Sequence, residues 1–356
     1  MKNNTKSFTF SNLGLLAIAL FWLAATAHAQ IFPTARAKTR AESVPDGYSV
    51  IDGDIIMPTA EVKAILSGQK ELPDVNDAVY IDLLWTNGIV LFEFDINVSA
   101  ANQSAAISAM AVLESVANVQ FEQCPFNSCP ILANFVHIQN STMNSSQVGM
   151  VGLRQNLNVA NWETQYVIVH ELLHALGFYH EQMRSDRDTY IQINCGNLQG
   201  GCNGDVYNAN FKVPLLSVNY GYYDFDSLMH YDECAFSNDC AAGSTCACTN
   251  KVITVRPPNQ NQQTLIGQRT HLSALDRATV SFLYPADDWR FYDCTYPAIL
   301  GTGTFLHPYA DPITALVATP PGGTLWVLKN CSFPVRVYNQ QVTVKTAPGV
   351  TATFGN

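Results

Sequence analysis

The segment His170-Glu-Leu-Leu-His-Ala-Leu-Gly-Phe-Tyr-His180 constrains this chain more than any other stretch. It places three imidazoles and one carboxylate in otherwise apolar sequence. Ionisable groups set among apolar side chains are costly to bury unless something compensates them. Residues 161–177 read as one helix, closed by a glycine suited to a left-handed cap. His170 and His174, four residues apart, then point from one helical face. Gly177 lets the chain turn sharply, which brings His180 back toward that pair. Three neutral imidazoles so arranged can grip one Zn²⁺ at about 2.0–2.1 Å, leaving a fourth position open, as catalytic sites do. Glu171 follows the first ligand and faces slightly aside, placed to act on a water rather than on the metal. The competing reading is a core helix whose histidines are satisfied by ordinary hydrogen bonds, and three histidines on this frame argue against it.

The rest of the chain sets the context. Its 356 residues are 47 % hydrophobic and 13 % charged, a globular composition with room for a large core and more than one unit. A formal net charge of −10, with no basic patch, argues against a nucleic-acid partner. Lys2 and Lys6 precede an apolar run from Leu13 to Ala27, and Ala27-His28-Ala29 offers a small-x-small cleavage site. Residues 1–29 therefore read as a signal peptide cut after Ala29. The alternative, a retained membrane anchor, needs a span of about 20 residues, longer than this run. The mature protein is expected to be secreted and free of the membrane.

The ten cysteines fit an oxidising compartment, and all lie beyond residue 123. Cys124 with Cys129, and Cys195 with Cys202, are near enough to staple loops. Cys234, Cys240, Cys246 and Cys248 form a cluster that reads as disulfides. A second metal site there is the lesser alternative, because paired C-x-x-C spacing is missing. The pairing itself stays open.

Residues 30–75, polar and broken by Pro and Gly, read as a linker or pro-segment. Beyond them, NGIVLFEFDI predicts a turn and a strand, and Ser99 predicts the cap of a helix over 100–117 with Ile107, Met110, Leu113 and Val116 at helical spacing. NVQFEQC, NFVHIQN, VGMVG and QNLNVAN read as strands. Residues 191–270 look irregular. Ser273-Ala-Leu-Asp276 is a capping box that opens a helix through Leu283, stopped by Pro285. In the tail, 287–356, helical pattern is almost lacking, while TLWVL, VRVY, VTVKT and VTATF alternate like strands. Their spacing hints at rungs of a β-solenoid, and a small β-rich appendage packed on the main domain is the preferred reading.

HELLHALGFYHEQMRSDRD (170–188) and Ser227-Leu-Met-His-Tyr231 together resemble the zinc signature and Met-turn of the astacin family of metzincin zinc endopeptidases. LWTNGIVLFEF, SQVGMVGLRQNLNV and IGQRTHLSALDRATVSFLY extend the resemblance over roughly 78–285, in matching order. It implies an α+β fold: a mixed, mostly parallel N-terminal sheet, two main helices and an irregular, disulfide-rich C-terminal subdomain. The implied organisation is a pro-segment at 30–75, a protease domain at 76–286 and the appendage at 287–356.

By the same resemblance His170, His174 and His180 are the zinc ligands and Glu171 the general base. Met229 is an apolar floor beneath the metal, and Tyr231 supplies a hydroxyl to the transition state. Ile51-Asp-Gly-Asp-Ile55 is similar to the family's F-x-G-D, except that isoleucine replaces phenylalanine, and it marks Asp54 as a zinc ligand in the zymogen only. His230 reads as structural, while His137, His271 and His307 have no visible partner. The family's two usual disulfides are missing. The nearest basic residue before the expected mature start, near Asn76 to Ala78, is Lys70, so the identity of an activating protease is open, as is the family's pairing of the new amino terminus with Glu181. The expected function is a secreted zinc endopeptidase, made as a zymogen and acting on protein or peptide substrates. A secreted binding or adhesive protein that keeps the protease shell is the alternative, and retention of Glu171 and every ligand speaks against it.

Overall fold

The computed structural model describes residues 40–60 except Asp52, Lys63, 83–204, Tyr207, 210–211, 219–241, 246–334, Asn339 and 341–355. The expected signal peptide, the expected activation region between about Leu72 and Ala78, and VRVY lie outside the described residues. A seven-stranded sheet organises the first half. Its strands are β1 (Tyr48–Ile51), β2 (Ile55–Pro58), β3 (Ile89–Phe94), β4 (Gln120–Gln123), β5 (Phe135–Asn140), β6 (Ser145–Gln147) and β7 (Arg154–Val159), in the order β1-β2-β6-β7-β5-β3-β4. Strands β4, β3, β5 and β7 run parallel, β6 is antiparallel to β7, and β2 is parallel to β6. The sheet is thus mixed and mostly parallel.

Alternation along the strands decides its two faces. Val90, Phe92 and Phe94 of β3, Val136 and Ile138 of β5, and Leu157 and Val159 of β7 enter the main core. Helices α1 (Ala100–Glu114) and α2 (Gln165–Ala175) complete that core. The intervening residues Glu93, His137, Gln139 and Asn158 are buried and polar on the other face. The Ser99 hydroxyl caps α1 by accepting from the Asn102 amide at 3.2 Å.

Two expectations shift here. The buried stripe of α1 is Ala106, Ala109, Met110 and Leu113, whereas Ile107 is 48 % exposed. That stripe follows i, i+3, i+4, i+7 spacing, and its two alanines allow close approach to the sheet. The strand of this stretch is β6 at 145–147 rather than VGMVG, because Gly149 and Gly152 adopt φ of 71° and 100° and turn the chain.

Beyond residue 190 the short strands β8 (Ile191–Ile193) and β9 (Ile253–Val255) pair antiparallel inside an irregular region. Disulfides 195–202, 234–248 and 240–246 staple it, and 124–129 closes a loop in the first half. All four clustered cysteines are paired, which removes the second-metal alternative. Helix α3 (Ala274–Leu283) begins at the expected capping box.

Strands β10 (Trp289–Tyr292), β11 (Thr324–Val327) and β13 (Thr343–Thr346) of the tail form one parallel ladder. Strands β12 (Cys331–Phe333) and β14 (Ala352–Phe354) form another, so the chain stacks rung on rung. A helix absent from the sequence reading, α4 (Pro312–Ala318), interrupts them, with Pro312 at its start and the Asp311 side chain accepting from the Thr314 amide. The tail packs on the main core through Phe282 of α3, whose ring lies 4.8 Å from Trp326 and 5.4 Å from Phe291. The Cys294–Cys331 disulfide ties the first tail strand to the second ladder. No helix among the described residues is long and apolar enough to cross a membrane.

Candidate metal centre and active-site cleft

Helix α2 ends where the glycine requires. Gly177, at φ 111°, donates to the His174 carbonyl, and the Phe178 amide donates to the Leu173 carbonyl. This pair of bonds is the Schellman closure, and it redirects the chain so that His180 returns over α2. His170, His174 and His180 are all buried. Nδ1 of His170 lies 3.0 Å from the Leu228 carbonyl, and Nδ1 of His174 lies 2.6 Å from the Phe178 carbonyl. A carbonyl can only accept, so both Nδ1 atoms carry the proton and both Nε2 atoms present lone pairs. Nε2 of His170 and His180 stand 3.1 Å apart.

The carboxylate of Asp54 sits against all three rings. Its oxygens lie 3.3 Å from His170 Nε2, 3.5 Å from His174 Nε2 and 3.3 Å from His180 Nε2. Burial alone would raise the pKa of Asp54. The imidazoles outweigh it, His180 foremost, and hold the carboxyl well below its ordinary range. Burial, then the charge of Arg269, draws His170 down to about 3, so the ring is neutral and free to ligate.

These residues fit a zinc-sized ion. His174 Nε2 and Asp54 Oδ1 are buried without a hydrogen-bond partner, a costly arrangement that a shared cation resolves. A tetrahedral ion at about 2.0–2.1 Å from each nitrogen would separate neighbouring ligands by ~3.3 Å, close to the observed spacings.

Glu171 is 1 % exposed, with Oε2 lacking a partner. Burial first, then the charge of Asp54, pushes its carboxyl well above the ordinary range. The segment after His180 holds the turn that carries Met229 and Tyr231. The Glu181 amide donates to the Met229 carbonyl at 3.1 Å, and the Tyr231 amide donates to Gln182 Oε1 at 3.0 Å. Asp276 anchors the same turn from below: one carboxylate oxygen accepts from the Ser227 hydroxyl, the other from the Leu228 amide, each at 2.8 Å. The Tyr231 ring packs 4.5 Å from that of His180. A Cβ on Gly53 would stand 2.8 Å from the Tyr231 hydroxyl, and the residue's φ of +72° favours glycine.

The cleft, of about 550 Å³, is lined by Gly53, Asp54, His170, Glu171, Tyr231 and Arg269 among others. Arg269 escaped the sequence reading, which named no arginine or lysine in the cleft. Its guanidinium donates to the His230 and Gln268 carbonyls and feels the charges of Asp54, Asp232 and Glu171. The other described histidines stay out of the cleft. Among them, His230 meets the Tyr223 hydroxyl at 2.7 Å, His137 lies between Glu93 and Asp95, His271 contacts Asp226, and His307 contacts Tyr296. The rim also carries the sheet edge: β2 pairs Ile55 with Ser146 and Ile56 with Gln147 of β6.

Three imidazoles on a helix and the bend after it, above a methionine turn, define a metzincin-type site. A sequence model of the Astacin peptidase family matches residues 78–285, more than half of the chain. The chain belongs to the astacin family. It is 32 % identical over 202 residues to zinc metalloproteinase nas-15 of Caenorhabditis elegans, covering 56 % of this chain and 32 % of that protein. It is 37 % identical over 153 residues to high choriolytic enzyme 1 of Oryzias latipes, covering 42 % of this chain and 51 % of that one. The chain therefore spans about a third to a half of the length of these relatives. The solved structure of the medaka enzyme, described as a hatching enzyme zinc-protease, aligns with 29 % identity and a TM-score of 0.48 over 59 % of this chain and 98 % of that one.

Proposed function

We propose that this chain is a secreted zinc endopeptidase made as a zymogen, with a signal peptide at 1–29, a pro-segment at 30–75, a protease domain at 76–286 and a β-rich appendage at 287–356. The observation that carries this reading is the convergence of three Nε2 atoms on one carboxylate, beside a buried glutamate. Zinc bound by His170, His174 and His180 would supply Lewis-acid polarisation of a peptide carbonyl. Glu171 takes a proton from the attacking water and passes it to the leaving amine. The Tyr231 hydroxyl donates to the developing oxyanion, an interaction typically worth about 3–4 kcal/mol. Met229 closes the site from below as an apolar floor.

In the zymogen Asp54 is the additional ligand and β2 occupies the β6 edge, so neither the centre nor the edge is open to a substrate. Cleavage by an activating protease between about Leu72 and Ala78 frees both. Arg269, in the cleft wall, suits an acidic side chain just after the scissile bond, a preference the family often shows.

One preparation tests the reading. Zinc content and casein cleavage are measured before and after removal of the pro-segment, with Glu171→Ala beside wild type. The expected result is one zinc per chain, cleavage only after removal, and a loss of about 10²–10⁴-fold in the variant. Zinc-loaded, processed wild type that cleaves nothing would overturn the endopeptidase assignment, and equal cleavage by the variant would remove Glu171 from the chemistry.

A further inference from the structure

A second cavity, of about 340 Å³, opens outside the cleft, where the segment before the methionine turn meets the loop before α3. Tyr190, Tyr222, Phe225, Asp224, Asp226 and Gln262 contribute to its lining. We propose that this cavity is a binding site for the cationic head of a lysine or arginine side chain presented by a protein partner.

Three features point to that ligand class. The first is the aromatic wall. Tyr223 stacks on Tyr190 at 4.8 Å and 14°, with Phe225 edge-on to Tyr223 at 5.1 Å. The Tyr223 hydroxyl is committed to His230 and its ring is buried, so it backs the wall behind Tyr190. Tyr190 is half-buried and Tyr222 is 48 % exposed, which leaves both rings open to an entering group. A cation over such faces is attracted by the negative face of the ring quadrupole. The wall already carries one cation from inside, since the Arg184 guanidinium lies 5.8 Å from the Tyr223 ring centre.

The second feature is the charge of the lining. Asp224 and Asp226 both reach the cavity, and no lysine or arginine lines it. Asp224 is committed to the Ser273 hydroxyl at 2.5 Å and the Asp226 amide at 3.0 Å, while Asp226 meets His271 at 2.9 Å. Burial and the neighbouring Asp276 push Asp224 up to about 6, and burial with Asp224 and Asp226 pushes Tyr222 up as well. Burial comes first in both shifts, and the neighbouring carboxylates add to it in the same direction. The third is net charge: at −10 the chain draws basic partners over a distance.

The site is independent of zinc and of turnover, so its test needs neither. Full-length Glu171→Ala protein is titrated calorimetrically with Nα-acetyl-arginine methylamide and with its neutral isostere, Nα-acetyl-citrulline methylamide. The arginine compound is expected to bind saturably and the citrulline compound at least tenfold more weakly. Tyr222→Ala and Asp226→Asn should each weaken arginine binding by about tenfold at unchanged thermal midpoint, while Tyr222→Phe, which keeps the ring, should retain it. Equal binding of the two compounds, no saturable binding at tens of millimolar, or unchanged affinity in the folded Tyr222→Ala and Asp226→Asn variants would each overturn the proposal.

Discussion

Two groups of buried histidine sit on opposite faces of the same sheet. His170, His174 and His180 are as deeply enclosed as His137, and each lies beside a carboxylate. Their hydrogen bonding differs. Both nitrogens of His137 are taken, Nδ1 by Glu93 at 2.7 Å and Nε2 by Asp95 at 3.0 Å, with the Asn127 amide completing Glu93. Burial, then Arg154, lowers the pKa of His137 despite the two carboxylates. In the cleft, by contrast, two rings spend Nδ1 on backbone carbonyls and turn their Nε2 atoms toward one point. A buried polar group that is fully bonded is part of the framework. One whose lone pair faces other lone pairs calls for a ligand. The criterion is local and needs no knowledge of ancestry.

The contrast can be broken most severely at the cleft. His174→Ala should lose stoichiometric zinc and reduce protein cleavage to background while the fold survives; elemental analysis beside circular dichroism checks this, and retained zinc would remove His174 from the ligand set. The reverse behaviour is expected on the other face. His137→Leu leaves Glu93 and Asp95 buried without their shared partner, so stability should fall by about 3–5 kcal/mol with zinc content per folded chain unchanged, read by urea unfolding.

A third measurement sharpens the comparison by titrating a buried carboxyl outside both groups. Asp224 is raised to about 6 by burial and by Asp276, so it holds its proton more tightly folded than unfolded. Its destabilising effect is absent below about pH 4 and complete above about pH 6. Asp224→Asn should therefore gain on wild type by on the order of 2–3 kcal/mol as pH rises through that window, seen as diverging thermal midpoints. Gly177→Ala is the mildest change. At φ 111° a Cβ costs about 1–2 kcal/mol, and because that bend aims His180, zinc affinity should fall along with stability.

Much of the cleft could be read in advance because its parts are close in sequence. The i, i+4 histidines, the glycine bend and the Ser273–Asp276 capping box each depend on a few neighbouring residues. Arg269 was invisible because its place in the cleft depends on a loop packing some ninety residues beyond the helix, with no periodicity to betray it. The tail shows the same limit. Its alternating segments announced strands, but parallel stacking of Thr324 on Thr343 and Cys331 on Ala352 is a long-range pairing. Helix α4 was missed although Asp311-Pro312 is a start signal, because seven residues carry too little apolar period to stand out. The strand expected in VGMVG turned on two glycines whose positive φ no composition rule assigns.

The Asp276 carboxylate serves two masters, the first turn of α3 and the turn that carries Met229. During synthesis, then, the emerging polypeptide can wind α2 and align two of its rings long before it can furnish their floor. The Ser227 hydroxyl and the Leu228 amide lack this acceptor until residue 276 has left the ribosome. A truncated product ending before Ser273 would keep the helical histidines and the Glu181 bond to Met229, yet the methionine turn would lack its carboxylate anchor, so the centre is completed late in the life of the chain.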